Sequence, residues 1–176
     1  MSLKVIPKGP GQSKGELVLS GIASSRLTFP CALGRSGVRR DKREGDHATP
    51  AGIFVLRKIF YRPDRVERPQ SLLPAQALTP DMGWCDAPDS PFYNQLIGFP
   101  FAASAEHLWR EDGLYDVFAV IGYNDKPVRK GRGSAIFMHV AEKSFAPTEG
   151  CVALKQSDLL QILSYCKAAQ RISIAV

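Results

Sequence analysis

The chain has 176 residues, 44% hydrophobic and 23% charged, an ordinary balance for one domain, residues 1–176, with a single sizeable core. No apolar run approaches the roughly 18 to 20 residues of a membrane-spanning helix, and the start, "MSLKVIPKGPGQSKGELVLSG", lacks the apolar segment and cleavage site of a secretory signal. As written the chain reads as neither exported nor anchored, hence cytoplasmic if complete.

The net charge is +6 with a pI near 9.3, and the excess sits in residues 35–43 ("RSGVRRDKR") and 126–132 ("KPVRKGR"). Both are turn-like, and they read either as solvated loops or as attraction for an acidic substrate or polyanion. No nucleic-acid partner is expected, because no binding motif or periodic aromatic platform accompanies the basic residues. Cys31, Cys85, Cys151 and Cys166 are scattered without zinc-ligand spacing, so no metal and no disulfide framework is expected.

In chain order, short strands are expected at 3–6 ("LKVI") and 16–20 ("ELVLS"). Residues 26–33 follow, with Leu27, Phe29, Cys31 and Leu33 on one face. Residues 52–60 alternate Ile53, Val55 and Ile59 against Phe54, Leu56 and Phe60. Residues 61–112 break the rhythm. They are proline-rich and polar, with Trp84 and Trp109 but no sustained period, and so read as a long irregular insertion of functional loops over a β scaffold. Strands resume at 114–123 and 134–140. A helix should begin near Ser157 as N-cap with Asp158 in its first turn, burying Leu159, Ile162, Leu163 and Cys166, before a last strand at 171–176. The chain is mostly β.

Within "GSAIFMHVAEKSFAPTEGCVAL", alternation puts Phe137 and His139 on one face and Ile136 and Met138 on the other. His139 falls where a strand ends, and Cys151 follows the turn "PTEG". A thiol becomes a nucleophile when an imidazole or backbone dipoles help remove its proton. Gly150 permits a sharp turn that presents N–H groups to a reacting carbonyl, and Pro147 fixes the approach. Two readings stand on spacing alone: a catalytic Cys151–His139 pair, or a buried structural cysteine and a satisfied strand histidine.

These residues resemble the signature of the L,D-transpeptidase catalytic domain (YkuD-like) family: a strand-end histidine, then a Ser/Thr-x-Gly-Cys-hydrophobic block. The upstream "GDHATPAGIFVL" resembles the family's "G…TPxGxF" strand. With Tyr93, Asn94 and the helix after the cysteine, the similarity covers about residues 30–176. The resemblance implies a β-sandwich domain, a thioester on Cys151, His139 as acid and base, Gly150 and Cys151 amides for the oxyanion, and no cofactor. It also implies that a backbone carbonyl at Val140 or a near neighbour orients His139. The substrate would be a peptidoglycan stem peptide, which places the work in the cell envelope or periplasm.

Two departures from the usual "SHGC[IV]R[LM]" mark a divergent branch: Glu149 stands where a second histidine is common, and Ala153 where an arginine is common. The insertion offers Trp84, Tyr93, Asn94, His107 and Arg110 as substrate contacts. Trp84 and Tyr93 would wall a groove and Arg110 would meet a substrate carboxylate, or the aromatics merely cover the core. Asp46 and His47 read as a polar turn. The alternatives are an L,D-carboxypeptidase or peptidase resolving the same thioester with water, and a non-catalytic cell-wall-binding module.

Overall fold

A computed structural model describes residues 1–22 and 25–176. The first third carries β1 (Ser2–Pro7), β2 (Lys14–Ile22), β3 (Ser25–Ala32), β4 (Val38–Arg39), β5 (Thr49–Pro50) and β6 (Gly52–Tyr61). Then come β7 (Ala75–Ala77), β8 (Met82–Cys85), β9 (Leu96–Gly98), β10 (Ala105–His107), β11 (Val117–Ile121), β12 (Phe137–Val140), β13 (Val152–Leu154), α1 (Gln156–Tyr165) and β14 (Arg171–Ile174). No described helix is long and apolar enough to cross a membrane.

The main sheet runs β11-β12-β13-β3-β2-β1-β14-β6-β7, and β11 also pairs with β6. The expected sandwich therefore takes the form of one sheet folded back on itself. Its inner face buries alternate residues, among them Leu3 and Val5, Leu17 and Leu19, Val117, Ala119 and Ile121, and Ile172 and Ile174. Each such valine, leucine or isoleucine contributes about 1.5–3 kcal/mol. Leu159, Ile162, Leu163 and Cys166 join the same cluster, the stripe expected of the helix.

The helix starts one residue before the expected cap. Lys155 occupies the N-cap position without a side-chain hydrogen bond, and Ser157 lies in the first turn beside Asp158. The reason is that β13 runs straight to Leu154, leaving one residue for the change of direction.

Alternation in β6 also departs from expectation. Three residue steps, from Leu56 to Ile59, span the length of two in β11, from Ile121 to Ala119. This β-bulge flips the parity, so Leu56 and Ile59 share the inner core, Phe60 turns outward and Ile53 is exposed.

The segment 61–112 is more ordered than its composition suggests. It holds a small sheet, β10-β8-β9, whose strands of three or four residues are too short to display a period. Phe60, Phe118, Val120 and Phe137 on the outer face of the main sheet pack under Trp84 and Leu108 of this cover, and Cys151 belongs to that second cluster. The seam between main sheet and cover is where His139 and Cys151 come together.

Candidate active site

Cys151 sits on a turn whose geometry depends on Gly150, at φ +138; a Cβ there would stand 2.8 Å from Ala48 O. Thr148 Oγ1 donates to Cys151 O (2.8 Å) and accepts from Gly150 N (3.2 Å). Thr49, the threonine of "ATPAG", donates to the same carbonyl and accepts from Gly34 N at 2.8 Å. Gly34 leaves no room for a Cβ, which would meet His47 O at 2.5 Å. The two sequence blocks thus form one structure: the "TP" stretch braces the cysteine turn. Among the described residues the Cys151 N–H has no hydrogen-bond partner in the protein, whereas the Gly150 N–H is taken by Thr148.

The thiol itself is buried, with Sγ accepting from Phe137 N and pointing its hydrogen at Ala135 O, both at 3.2 Å. Burial pushes its pKa up to about 12, outweighing the Phe137 N–H, which pulls the other way. The resting group is a thiol, and the glycine turn does not by itself ionise it.

β12 and β13 run parallel, with Met138 opposite Val152 and His139 opposite Ala153. Ile136 and Met138 enter the inner core and Phe137 faces the cover, the alternation expected from the sequence. His139 and Cys151 therefore project from neighbouring strands onto one face. His139 Nδ1 lies 2.8 Å from Val140 O. A carbonyl only accepts, so Nδ1 carries the hydrogen and the lone pair is left on Nε2. Burial, helped by the nearby Arg110 charge and opposed by the hydrogen bond to Val140 O, lowers the imidazole pKa to about 4. Tyr115 packs edge-on against the ring, with centroids 5.4 Å apart, and its hydroxyl donates to Glu106 at 2.8 Å.

Cys151 and His139 open into one cavity of about 720 Å³ whose walls also include Glu44, Asp86, Glu106, Glu142 and Glu149 against Arg35 and Arg110. Burial raises the pKa of Glu106, and Oδ1 of Asp86 is buried with no hydrogen-bond partner among the described residues. The insertion supplies Asp86, Glu106 and Arg110. Glu149, in place of the second histidine, lies at the rim with its carboxylate held by Arg35 and His47. Asp46 closes the polar turn expected of it by accepting from Lys42 Nζ (2.6 Å) and Ala48 N (2.9 Å).

Of the five insertion candidates, Arg110 alone lines this cavity. Its guanidinium pairs with Asp112, lies 3.6 Å from Glu106 and sits 5.3 Å above the Tyr115 ring. Trp84 and Tyr93 do not wall it, because both side chains are buried where the cover packs on the rest of the fold. Trp84 stands edge-on to Phe137 and borders a separate cavity of about 530 Å³. Tyr93 is 2% exposed, with its hydroxyl on Glu44. Asn94 is a structural hub: Oδ1 accepts from Trp84 Nε1 (2.9 Å) and Ala135 N (3.0 Å), and Nδ2 donates to Tyr123 O and Asn124 O. His107 is exposed and stacked on Phe99 at 3.8 Å. The sequence reading missed Glu106 and Asp86, since lone polar residues in aperiodic chain carry no signal, and Tyr115, which sits in an expected strand and reads there as an ordinary core aromatic. Among the described residues no group of three His, Cys, Asp or Glu side chains is placed to hold a metal ion.

A family model described as YkuD: L,D-transpeptidase catalytic domain matches residues 17–174. No curated protein and no solved structure gives a match.

Proposed function

Because this chain belongs to the L,D-transpeptidase catalytic domain family, whose model covers nearly all of it, we propose that it is a cysteine acyl transferase acting on peptidoglycan stem peptides in the cell envelope. The observation that carries this reading is the pairing, in one cavity, of a protonated thiol with a neutral imidazole whose Nδ1 is anchored on Val140 O. Such a pair needs no standing ion pair. As Sγ of Cys151 attacks the peptide carbonyl carbon, its proton passes to His139 Nε2. The oxyanion accepts from the Cys151 N–H, which has no competing partner among the described residues. His139 then returns the proton to the leaving amine as the C–N bond breaks, and a thioester remains on Cys151.

An acceptor amine resolves that thioester: it attacks the acyl carbon, loses its proton to His139, and the sulfur departs and is reprotonated. The carboxylates around the cavity support an amine acceptor over water, since they concentrate an ammonium group near the thioester. Arg110 is the group for a substrate carboxylate, exchanging its contact with Asp112 for the ligand. Incubation with purified muropeptides and an added D-amino acid, read by mass spectrometry, tests the reading. Exchanged product is expected. Hydrolysed peptide alone, with acceptor in large excess, would establish an L,D-carboxypeptidase or peptidase, and binding without any turnover would leave a non-catalytic wall-binding module.

A further inference from the structure

The two basic segments, 35–43 and 126–132, lie some ninety residues apart in the sequence but form one surface in the fold. Glu44 N donates to Gly131 O at 2.9 Å, and the Glu44 carboxylate accepts from Ser134 Oγ (2.7 Å) and the Tyr93 hydroxyl. The second loop is also fixed from within: Asn124 Nδ2 donates to Arg129 O and Gly133 O, and Arg129 N donates to Asn124 Oδ1 at 2.8 Å. On this scaffold Arg39, Arg40 and Arg43 from one loop, and Arg129, Lys130 and Arg132 from the other, are all exposed.

None of these six has a carboxylate partner among the described residues, whereas Arg62, Arg65 and Arg110 of the insertion are all ion-paired. Arginines held near one another without neutralisation repel, and a surface that keeps them so is suited to a partner that brings the negative charge. The surface is continuous with the catalytic cavity, because Glu44 and Ser134, which tie the loops together, also line the cavity wall. A ligand whose reacting branch enters the cavity and whose neighbouring branches are acidic meets both at once.

Resting on the stem-peptide reading above, we propose that these loops form a cationic platform that binds the carboxylates of stem peptides neighbouring the one in the cavity. The platform then adds affinity for the polymer beyond what the cavity gives a free stem peptide. Multiple weak ion pairs along one polymer add through effective concentration, and being exposed they are screened by salt.

The test is co-sedimentation with insoluble peptidoglycan, using the full chain, its Cys151→Ala form, and a quadruple variant, R39Q/R40Q/R129Q/R132Q. Wild type and Cys151→Ala are expected to sediment alike at low salt and to lose at least about tenfold in affinity between 50 and 300 mM NaCl. The quadruple variant should bind at least about tenfold more weakly at low salt, with turnover of a soluble monomeric muropeptide unchanged within about twofold. Amidating the polymer's carboxylates should abolish the difference between wild type and variant. The proposal is overturned if the variant sediments like wild type, if amidated polymer binds equally well, or if duplex DNA or a polyphosphodiester displaces the protein from untreated polymer at lower charge concentration than soluble glycan-linked stem peptides do. Salt-sensitive sedimentation without turnover of any muropeptide would sink the enzymatic reading and leave the platform standing.

Discussion

His139 and Ala153 are direct partners across the parallel ladder of β12 and β13, so the residue at 153 stands on the same face as the imidazole. Where an arginine is common at this position, the chain has a buried methyl group, and the positive charge beside His139 comes instead from Arg110 of the insertion.

Arg110→Ala should therefore lower kcat/KM for a substrate with a free carboxylate by about ten- to a hundredfold, the range of one lost charge-assisted pair, with a smaller effect on an amidated analogue. Steady-state kinetics on the two substrates reads this. Equal losses on both would show that Arg110 only holds the cover down through Asp112 and Glu106.

Among the four cysteines, Cys151 should react first with iodoacetamide, because its thiol adjoins an open cavity while Cys31, Cys85 and Cys166 are 2% exposed or less. The reaction should be slow near neutral pH, since burial holds the thiol pKa up at about 12, and slower still in His139→Asn, which lacks the acceptor at Nε2. Peptide mapping after timed alkylation checks both orders. Faster labelling of the histidine variant would remove His139 from the proton path.

The same variant, His139→Asn, should fold, because its amide can still donate to Val140 O, yet lose at least about a hundredfold in turnover, the lower end of general acid–base assistance. Retained activity in a well-folded variant would make the histidine structural.

Acid should destabilise the wild type through His139. Its folded pKa of about 4 lies below its unfolded value of 6.5, so the unfolded chain binds the extra proton between those values. The contribution is fully present above about pH 6.5 and is lost as pH falls toward 4, to a limit of about 3 kcal/mol. Urea midpoints from pH 7 to 4.5 should fall more steeply for wild type than for His139→Asn. Parallel curves would place the lost stability in other groups, such as Asp46 and Asp112, whose hydrogen-bonded carboxyls are held below their usual range.

Asn94→Ala should cost about 1–3 kcal/mol for each buried partner left unsatisfied, Trp84 Nε1 and Ala135 N being the two that face its oxygen. Because Ala135 O receives the Cys151 thiol, activity should fall further than the unfolded fraction explains. Calorimetry together with activity per folded molecule separates the two effects, and unchanged specific activity would limit Asn94 to holding the cover.

The sequence determined the local features. Period-2 alternation set most inner faces and put His139 opposite the core side of β12, helical spacing set the stripe of α1, and the "TEGC" block marked the cysteine turn. These follow from the chain's own geometry over a few residues. Only the tertiary structure decided what lay across gaps. The bulge in β6 reversed the outward face of Phe60, a parity change invisible without the partner strand. The cover drew Trp84, Tyr93 and Asn94 into packing and left Arg110 beside the imidazole. Two distant basic loops became one surface through the Glu44 N–H and Gly131 O. The thiol's protonation was likewise beyond the sequence, because burial, which depends on everything packed above Cys151, outweighs the turn that carries it.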